Sequence, residues 1–502
     1  MSRPRRVILA AASLLLLATA AVAEGPGPFT VLDFGPKEGV TQRIFDDLDG
    51  DGKKEILLFA GHRLMVYSPD EDGRYDPERP TEIDLAENAL YFVIGNVDGD
   101  PANRELVLVS PIGVSYHAWR DGRLSAAPKL LIPARNLVIS GQRDNVHWRG
   151  FIHDVDGDGR HDVILATSRG FALYYQRQPE EGDRRSRLWP DRPDALVPYR
   201  LRSSFSTQPG GLGGSILGSV GVPQFSLRDF TGDGKRDFVV DDGLTLRIFA
   251  ADESGRIEQE PDREIDLKVL AGPTGSIPPF VIQELNGDGL PDFVATRRYD
   301  GITDIYLSGR PLTDPPLRIK LAGWSFAPKL ADLDGDGDVD LVIPTTPEIG
   351  IPTAMSVLMT DSITVSNRIH LNTGDPEAPF AKEADLVRDL RVRMKIYLDP
   401  TGRIRGDYSV LVDYSADFDG DGRRDLVYLS GSDELLFYPG REQGLFSDSP
   451  ALSIDLPDTA PYSRLIPAVS DFDGDGRPDL AIFLQSADRK GDRLLLLLTK
   501  QE

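Results

Sequence analysis

The chain of 502 residues contains no cysteine. Disulfides, a thiol nucleophile, thiolate-bound zinc and a lipidated N-terminal Cys are therefore excluded. Basic residues are few beside acidic ones, 56 against 80, for a net charge of −24. A nucleic-acid binder needs a basic surface, and an anionic membrane attracts cations, so both partners are disfavoured. Long apolar runs are absent beyond the first 23 residues. Leu494–Leu498 is five residues long and is soon followed by Lys500, whereas a membrane crossing takes about 20. The six histidines, His62, His117, His147, His153, His161 and His370, form no H-E-x-x-H motif, and no G-x-S-x-G occurs. His153 and His161 flank an acidic loop and read as local packing residues.

Hydrophobic residues make up 40% of the chain and the charges are dispersed, which suits a packed core rather than a disordered acidic tail. The first 23 residues stand apart. Arg3, Arg5 and Arg6 precede the apolar stretch Val7–Ala20, and Ala21-Val22-Ala23 is a small-residue cleavage site. This predicts a cleaved export signal over 1–23, a mature start at Glu24, and a periplasmic or secreted protein with no remaining span. Calcium can be plentiful in such a compartment.

A short acidic pattern, D-x-D-G-D-G-x-x-D, recurs eight times. Its copies begin at Asp47, Asn96, Asp154, Asp229, Glu284, Asp332, Asp417 and Asp471, between 48 and 85 residues apart. A repeat of this kind means one supersecondary unit per copy. Carboxylates at positions 1, 3, 5 and 9 of a tight turn repel one another unless a cation neutralises them. Crowded hard oxygens suit Ca²⁺, which takes 6–8 of them, better than Mg²⁺, which keeps its waters. The carbonyl of position 7 can add a ligand.

Five loops carry the full set: Asp47, Asp49, Asp51 and Glu55, with Lys53 at position 7; Asp154, Asp156, Asp158 and Asp162, with Arg160; Asp332, Asp334, Asp336 and Asp340, with Asp338; Asp417, Asp419, Asp421 and Asp425, with Arg423; and Asp471, Asp473, Asp475 and Asp479, with Arg477. Asp229, Thr231, Asp233 and Asp237, with Lys235, have a hydroxyl at position 3. Glu284, Asn286, Asp288 and Asp292, with Leu290, have a longer first ligand and a neutral second one. The weakest copy is Asn96, Asp98 and Asp100, where Arg104 stands at position 9 and Glu105 comes one residue late. An EF-hand is excluded, because its bidentate Glu at position 12 is replaced here by residues such as Leu58, Leu165, Tyr428 and Ile482.

Each loop opens into an apolar run that reads as a buried strand. In the first unit, Arg43–Phe45 leads in, and Glu55–Phe59, Arg63–Tyr67 and Thr81–Leu85 follow. The seventh unit repeats this with Val410–Tyr414, Asp425–Leu429, Glu434–Tyr438 and Ala451–Leu456. Four short strands per repeat predict an all-β propeller of four-stranded antiparallel blades. Eight blades fit the loop count, with seven as the alternative. The last repeat has room for Asp479–Leu484 and Arg493–Leu498, so Phe29–Phe34 is expected to supply its outer strand and close the ring.

This pattern resembles the FG-GAP/VCBS repeat family, which builds integrin α-chain heads and many exported bacterial proteins. The resemblance covers essentially residues 24–502 as a single propeller. It rests on the acidic loop and the blade period, since the literal Phe-Gly…Gly-Ala-Pro signature is absent. It implies calcium between the first two strands of each blade, at about seven or eight sites.

Three segments exceed what blades need. Arg177–Arg200 is rich in arginine around Trp189 and could meet an anionic partner or pair with its own acids. Ser203–Gly221 is a Gly-rich connection, read as a rim loop. Thr345–Asp361 carries Met355 and Met359 at helical spacing, a short helix with one apolar face. No catalytic constellation stands out. The expected function is a monomeric, non-enzymatic binding scaffold with structural calcium and a protein or glycan partner. The alternative is a carbohydrate-active propeller, lectin or polysaccharide lyase.

Overall fold

The computed structural model describes residues 29–138, 144–178, 188–208, 215–272, 275–348, 350–398, 404–408, 411–430, 434–442, 444–456, 462–486 and 491–500. The leader expected over 1–23 lies outside them. So does the middle of the arginine-rich segment.

Eight antiparallel sheets of four blade strands follow one another along the chain. Blade 1 is Val40–Asp46, Glu55–Ala60, Arg63–Tyr67 and Thr81–Asp84. Blades 2 to 7 begin at Tyr91, Ile152, Gln224, Phe280, Lys329 and Val412. Blade 8 is Tyr462–Ser470, Asp479–Ser486 and Asp492–Thr499, completed by Phe29–Lys37. Phe29 faces Thr499 and Leu32 faces Leu496 in that closing pair. An unpaired edge at the seam is thereby covered.

The strand alternation decides the packing. A blade buries both faces of its middle strands, so these read as continuous apolar runs: Ile56–Phe59, Leu106–Val109 and Leu494–Leu497 are all buried. Eight apolar clusters result, one at each junction between neighbouring blades, including the seam. Phe59 stacks on Phe92 across blades 1 and 2, with centroids 3.9 Å apart. Removing one such ring would cost about 3–5 kcal/mol.

First strands crowd the axis. His153 of blade 3 meets Phe225 of blade 4 edge-on at 5.6 Å, and the Lys329 ammonium of blade 6 donates to the Val412 carbonyl of blade 7. Fourth strands such as Thr81–Asp84 and Arg263–Asp266 are mostly exposed. One departure from the repeat lies on the inner side. The chain entering blade 3 runs up beside the first strand of blade 2, so that His147 and Trp148 pair in parallel with Tyr91 and Phe92.

The Gly-rich connection is not a plain loop. Arg202–Gln208 and Ser215–Gly221 pair as a hairpin, and the glycines at its tip lie outside the described residues. The Met-bearing segment does form a helix, α1 (Ile351–Thr360). Val357 packs inward, while Ile351, Met355, Leu358 and Met359 are exposed. No helix among the described residues is long and apolar enough to cross a membrane.

Candidate metal centres

Every acidic loop joins the first and second strands of its blade, so all eight lie on one face of the ring. Position 1 organises the turn. Asp417 accepts the Gly420 and Gly422 amides, both at 2.7 Å, and Asp471 accepts Gly474 and Gly476 at 2.7 and 2.9 Å. Both glycines sit at positive φ, +78° and +87° in the Asp417 loop, which only glycine adopts without strain.

Position 9 is buried at the blade's heart. Its carboxylate accepts the position-2 amide in all eight blades, from Leu48 to Glu55 in the first to Phe472 to Asp479 in the last, at 2.7–2.9 Å. In blades 3 to 8 the second oxygen accepts an amide at the end of the third strand, such as Gln176 at 2.9 Å for Asp162 and Thr499 at 2.7 Å for Asp479. One acid thus ties loop, second strand and third strand together. Glu105 takes the loop-binding part of this work in blade 2, where Val97 donates to it at 2.9 Å and Gly95 faces it in register, while its other oxygen has no hydrogen-bond partner. The sequence offset of that loop is an inserted residue, and Arg104 turns away from the loop to Asp46 of blade 1 at 2.7 Å.

Burial pushes these carboxylates up, against the pull of the amides. Glu55, Glu105, Asp162 and Asp479 reach about 7, and Asp292, Asp340 and Asp425 about 6. Burial, then the neighbouring carboxylates, also raises Asp49, Asp156 and Asp473.

In five loops three carboxylates converge, with oxygens within 4.8 Å of one another: Asp47, Asp49 and Glu55; Asp154, Asp156 and Asp162; Asp332, Asp334 and Asp336; Asp417, Asp419 and Asp425; Asp471, Asp473 and Asp479. These are the five loops with the full acid set. Position 5 joins the group in the Asp332 loop alone of the five. In three of the others a position-7 cation draws it aside: Lys53 holds Asp51 at 3.2 Å, Arg160 holds Asp158 and Arg423 holds Asp421 at 3.4 Å. Position 7 of the Asp332 loop is Asp338, which offers no cation.

In the remaining three loops protein groups engage the acids or turn a ligand position aside. Arg120 pairs with Asp98 at 2.7 Å, and Asn103 donates to Asp100 at 3.0 Å. Ser308 donates to Asp288 at 2.5 Å, and Asn286 is turned to the Pro376 carbonyl. Lys235 pairs with Asp233 at 3.2 Å, and Thr231 reaches Asp229 at 3.4 Å.

Two features escaped the sequence reading. Position 2 is apolar and buried in every copy: Leu48, Val97, Val155, Phe230, Leu285, Leu333, Phe418 and Phe472. The second is a cover laid on several of the loops by the next blade. Trp189 donates to the Val97 carbonyl at 2.8 Å, Tyr75 to Phe472 at 2.8 Å and Asn372 to Leu285 at 2.8 Å. Trp189 is therefore an inter-blade anchor rather than part of an exposed basic patch, and Arg177 pairs with Asp194 at 3.1 Å. Glu180, Glu181 and Asp183 lie outside the described residues. Phe29 plays the covering part at the seam, against Phe418 and Phe437.

Gly255 marks how close the cover comes. It has φ +82°, and a Cβ there would stand 2.1 Å from the Asp156 carbonyl oxygen. Gly255→Ala is expected to lower stability by about 2 kcal/mol or more, from left-handed strain and displacement of the cover. Urea unfolding would measure it, and an unchanged midpoint would refute the contact.

The donor set fits a hard divalent cation. Each of the five triads is all oxygen, and one buried oxygen, Asp154 Oδ1, has no hydrogen-bond partner in the structure. Ca²⁺ there would supply charge neutralisation and cross-linking of the turn.

A profile of FG-GAP-like repeats matches residues 284–343 and 417–482, the loops and strands of blades 5 to 8. No curated protein sequence matches the chain. Among solved structures, an Agrocybe aegerita lectin described as recognising non-reducing terminal N-acetylglucosamine is similar at 15% identity, covering 93% of this chain and 98% of that one, with a TM-score of 0.41. BBS1N in complex with ARL6DN is similar at 11% identity, covering 94% and 96%, with a TM-score of 0.33. With the profile matches set upon eight four-stranded blades and their repeated acidic loop, the chain is an eight-bladed β-propeller that carries FG-GAP-like repeats.

Proposed function

We propose that the protein is an exported, calcium-stabilised propeller that serves as a non-enzymatic binding scaffold. The observation that carries this is the convergence of three carboxylates in each of five loops, each placed where the first and second strands of a blade meet. Three of these loops, at Asp154, Asp417 and Asp471, are also touched by the next blade, so an ion there would stiffen the joint between blades. No histidine pairs with a nucleophile in a catalytic arrangement among the described residues. His117 bonds to the Ser125 carbonyl, His370 to Ala381 and His153 to Gly150, which are packing roles. Export is supported by the leader-like first 23 residues.

Elemental analysis after dialysis against calcium buffer tests the metal. About five bound ions per chain above the buffer level are expected, one for each triad. Fewer than one per chain would end the reading.

A further inference from the structure

The innermost wall of the ring has a charge opposite to that of the whole molecule. First strands, with the segment inserted beside blade 2, carry Arg43, Arg149, Arg228, Lys329 and Arg464. The same wall carries two carboxylates, Asp46 and Asp413. Asp46 is held by Arg104 at 2.7 Å, and Asp413 by the Ser415 amide and hydroxyl at 2.7 and 2.6 Å. The whole chain is strongly negative, with a net charge of −24. Cations gathered in a concavity focus their field on a ligand of opposite sign.

Three of the cations lie over aromatic rings, of which Phe483 and Tyr414 are buried and Tyr91 is partly buried. Arg43 lies over Phe483 at 4.7 Å, Arg149 over Tyr91 at 5.8 Å and Lys329 over Tyr414 at 5.2 Å. Trp148, next to Arg149 on the inserted segment, is 49% exposed, whereas Trp119 and Trp189 are buried. The cost of holding an exposed indole on the inner wall points to a ligand with an apolar face and anionic groups. A chain of uronic acid rings has both: carbon–hydrogen faces for the indole and one carboxylate per ring for the cations. An acidic peptide has the charge without the flat faces.

We propose that the axial channel binds an acidic polysaccharide, with Trp148 stacking on a sugar ring and Arg149, Arg228 and Arg464 receiving its carboxylates. This rests on the scaffold reading, of which it names the ligand class.

The test is a titration of the whole protein in calcium buffer with a short oligogalacturonate, followed by calorimetry and by indole fluorescence. Binding that weakens with added salt is expected, together with a change of fluorescence that Trp148→Ala abolishes. Arg149→Glu and Arg464→Glu are each expected to weaken binding about tenfold. All three side chains are exposed, so unchanged melting would separate a lost site from a lost fold. No binding, or binding indifferent to these three substitutions, would overturn the channel while leaving the scaffold standing. Equal binding of polyglutamate would overturn the sugar. Cleavage of the oligosaccharide would overturn the scaffold reading and leave the channel in place.

Discussion

Removal of calcium by chelator is expected to lower the melting temperature by more than about 10 °C at pH 7.5, and by much less at pH 5. The size follows from mass action. A site with a dissociation constant near 0.1 mM, in about 1 mM calcium, stabilises by about 1.4 kcal/mol. Five such triads together contribute about 7 kcal/mol, against the roughly 5–15 kcal/mol that keeps a typical domain folded. The pH dependence follows from position 9. Burial holds Glu55, Asp162 and Asp479 at about 7 in the folded, metal-free protein, while unfolded carboxylates titrate near 4. A raised folded value means the stabilised form is the protonated one. Its contribution is fully present below the unfolded value and is lost as pH rises through the folded value. Metal-free protein therefore weakens between about pH 4 and 7. An ion in the loop favours the ionised form and opposes that loss. The gap between calcium and chelator curves should widen steadily with pH in differential scanning fluorimetry. A gap that is absent, or constant with pH, would sink the structural role of calcium.

Asp162 and Asp156 should respond to substitution in different ways, although both belong to one triad. Asp162 is wholly buried and accepts amides from Val155 and Gln176, each at 2.9 Å. Asp162→Ala leaves two buried donors without partners, at about 1–3 kcal/mol each. It should destabilise by about 2–6 kcal/mol whether or not calcium is present. Asp156 is only partly buried and makes one long bond, from the Asp158 amide at 3.4 Å. Asp156→Asn should cost little in chelator, since it removes a carboxylate that is raised by burial and by its neighbours. In calcium it should forfeit most of the stabilisation of its site, about 1.4 kcal/mol. Paired denaturant curves for each variant, with calcium and with chelator, measure both terms. Equal losses in the two buffers for Asp156→Asn would remove it from the ligand set.

Much of this architecture was legible in the residues. Arg63–Tyr67 and Glu434–Tyr438 were delimited as the structure has them. The closing strand at Phe29 was legible because the last repeat was one strand short. Boundaries shifted elsewhere: of the expected Val410–Tyr414, Val410 lies outside the described residues and Val412–Asp413 form the strand. The fate of Trp189 was not legible. Its partner, the Val97 carbonyl, is 92 residues away, and local composition carries no trace of such a contact. Position 2 could have been found by noticing an apolar residue in every copy of the loop. The alternating acids drew attention from it.

Sequence alone determined the order of strands and the oxygen-rich loops, because each is written in short-range spacing that repeats; it left seven blades open beside eight, and the structure has eight. The tertiary structure decided which acids meet. Position 9 is drawn into the core by two amides, and position 5 is turned away where position 7 is a cation. It also decided that scattered cations, unremarkable along the chain, share one inner wall. Closing a sheet array into a ring brings distant first strands together, and no pattern along a single strand can express that.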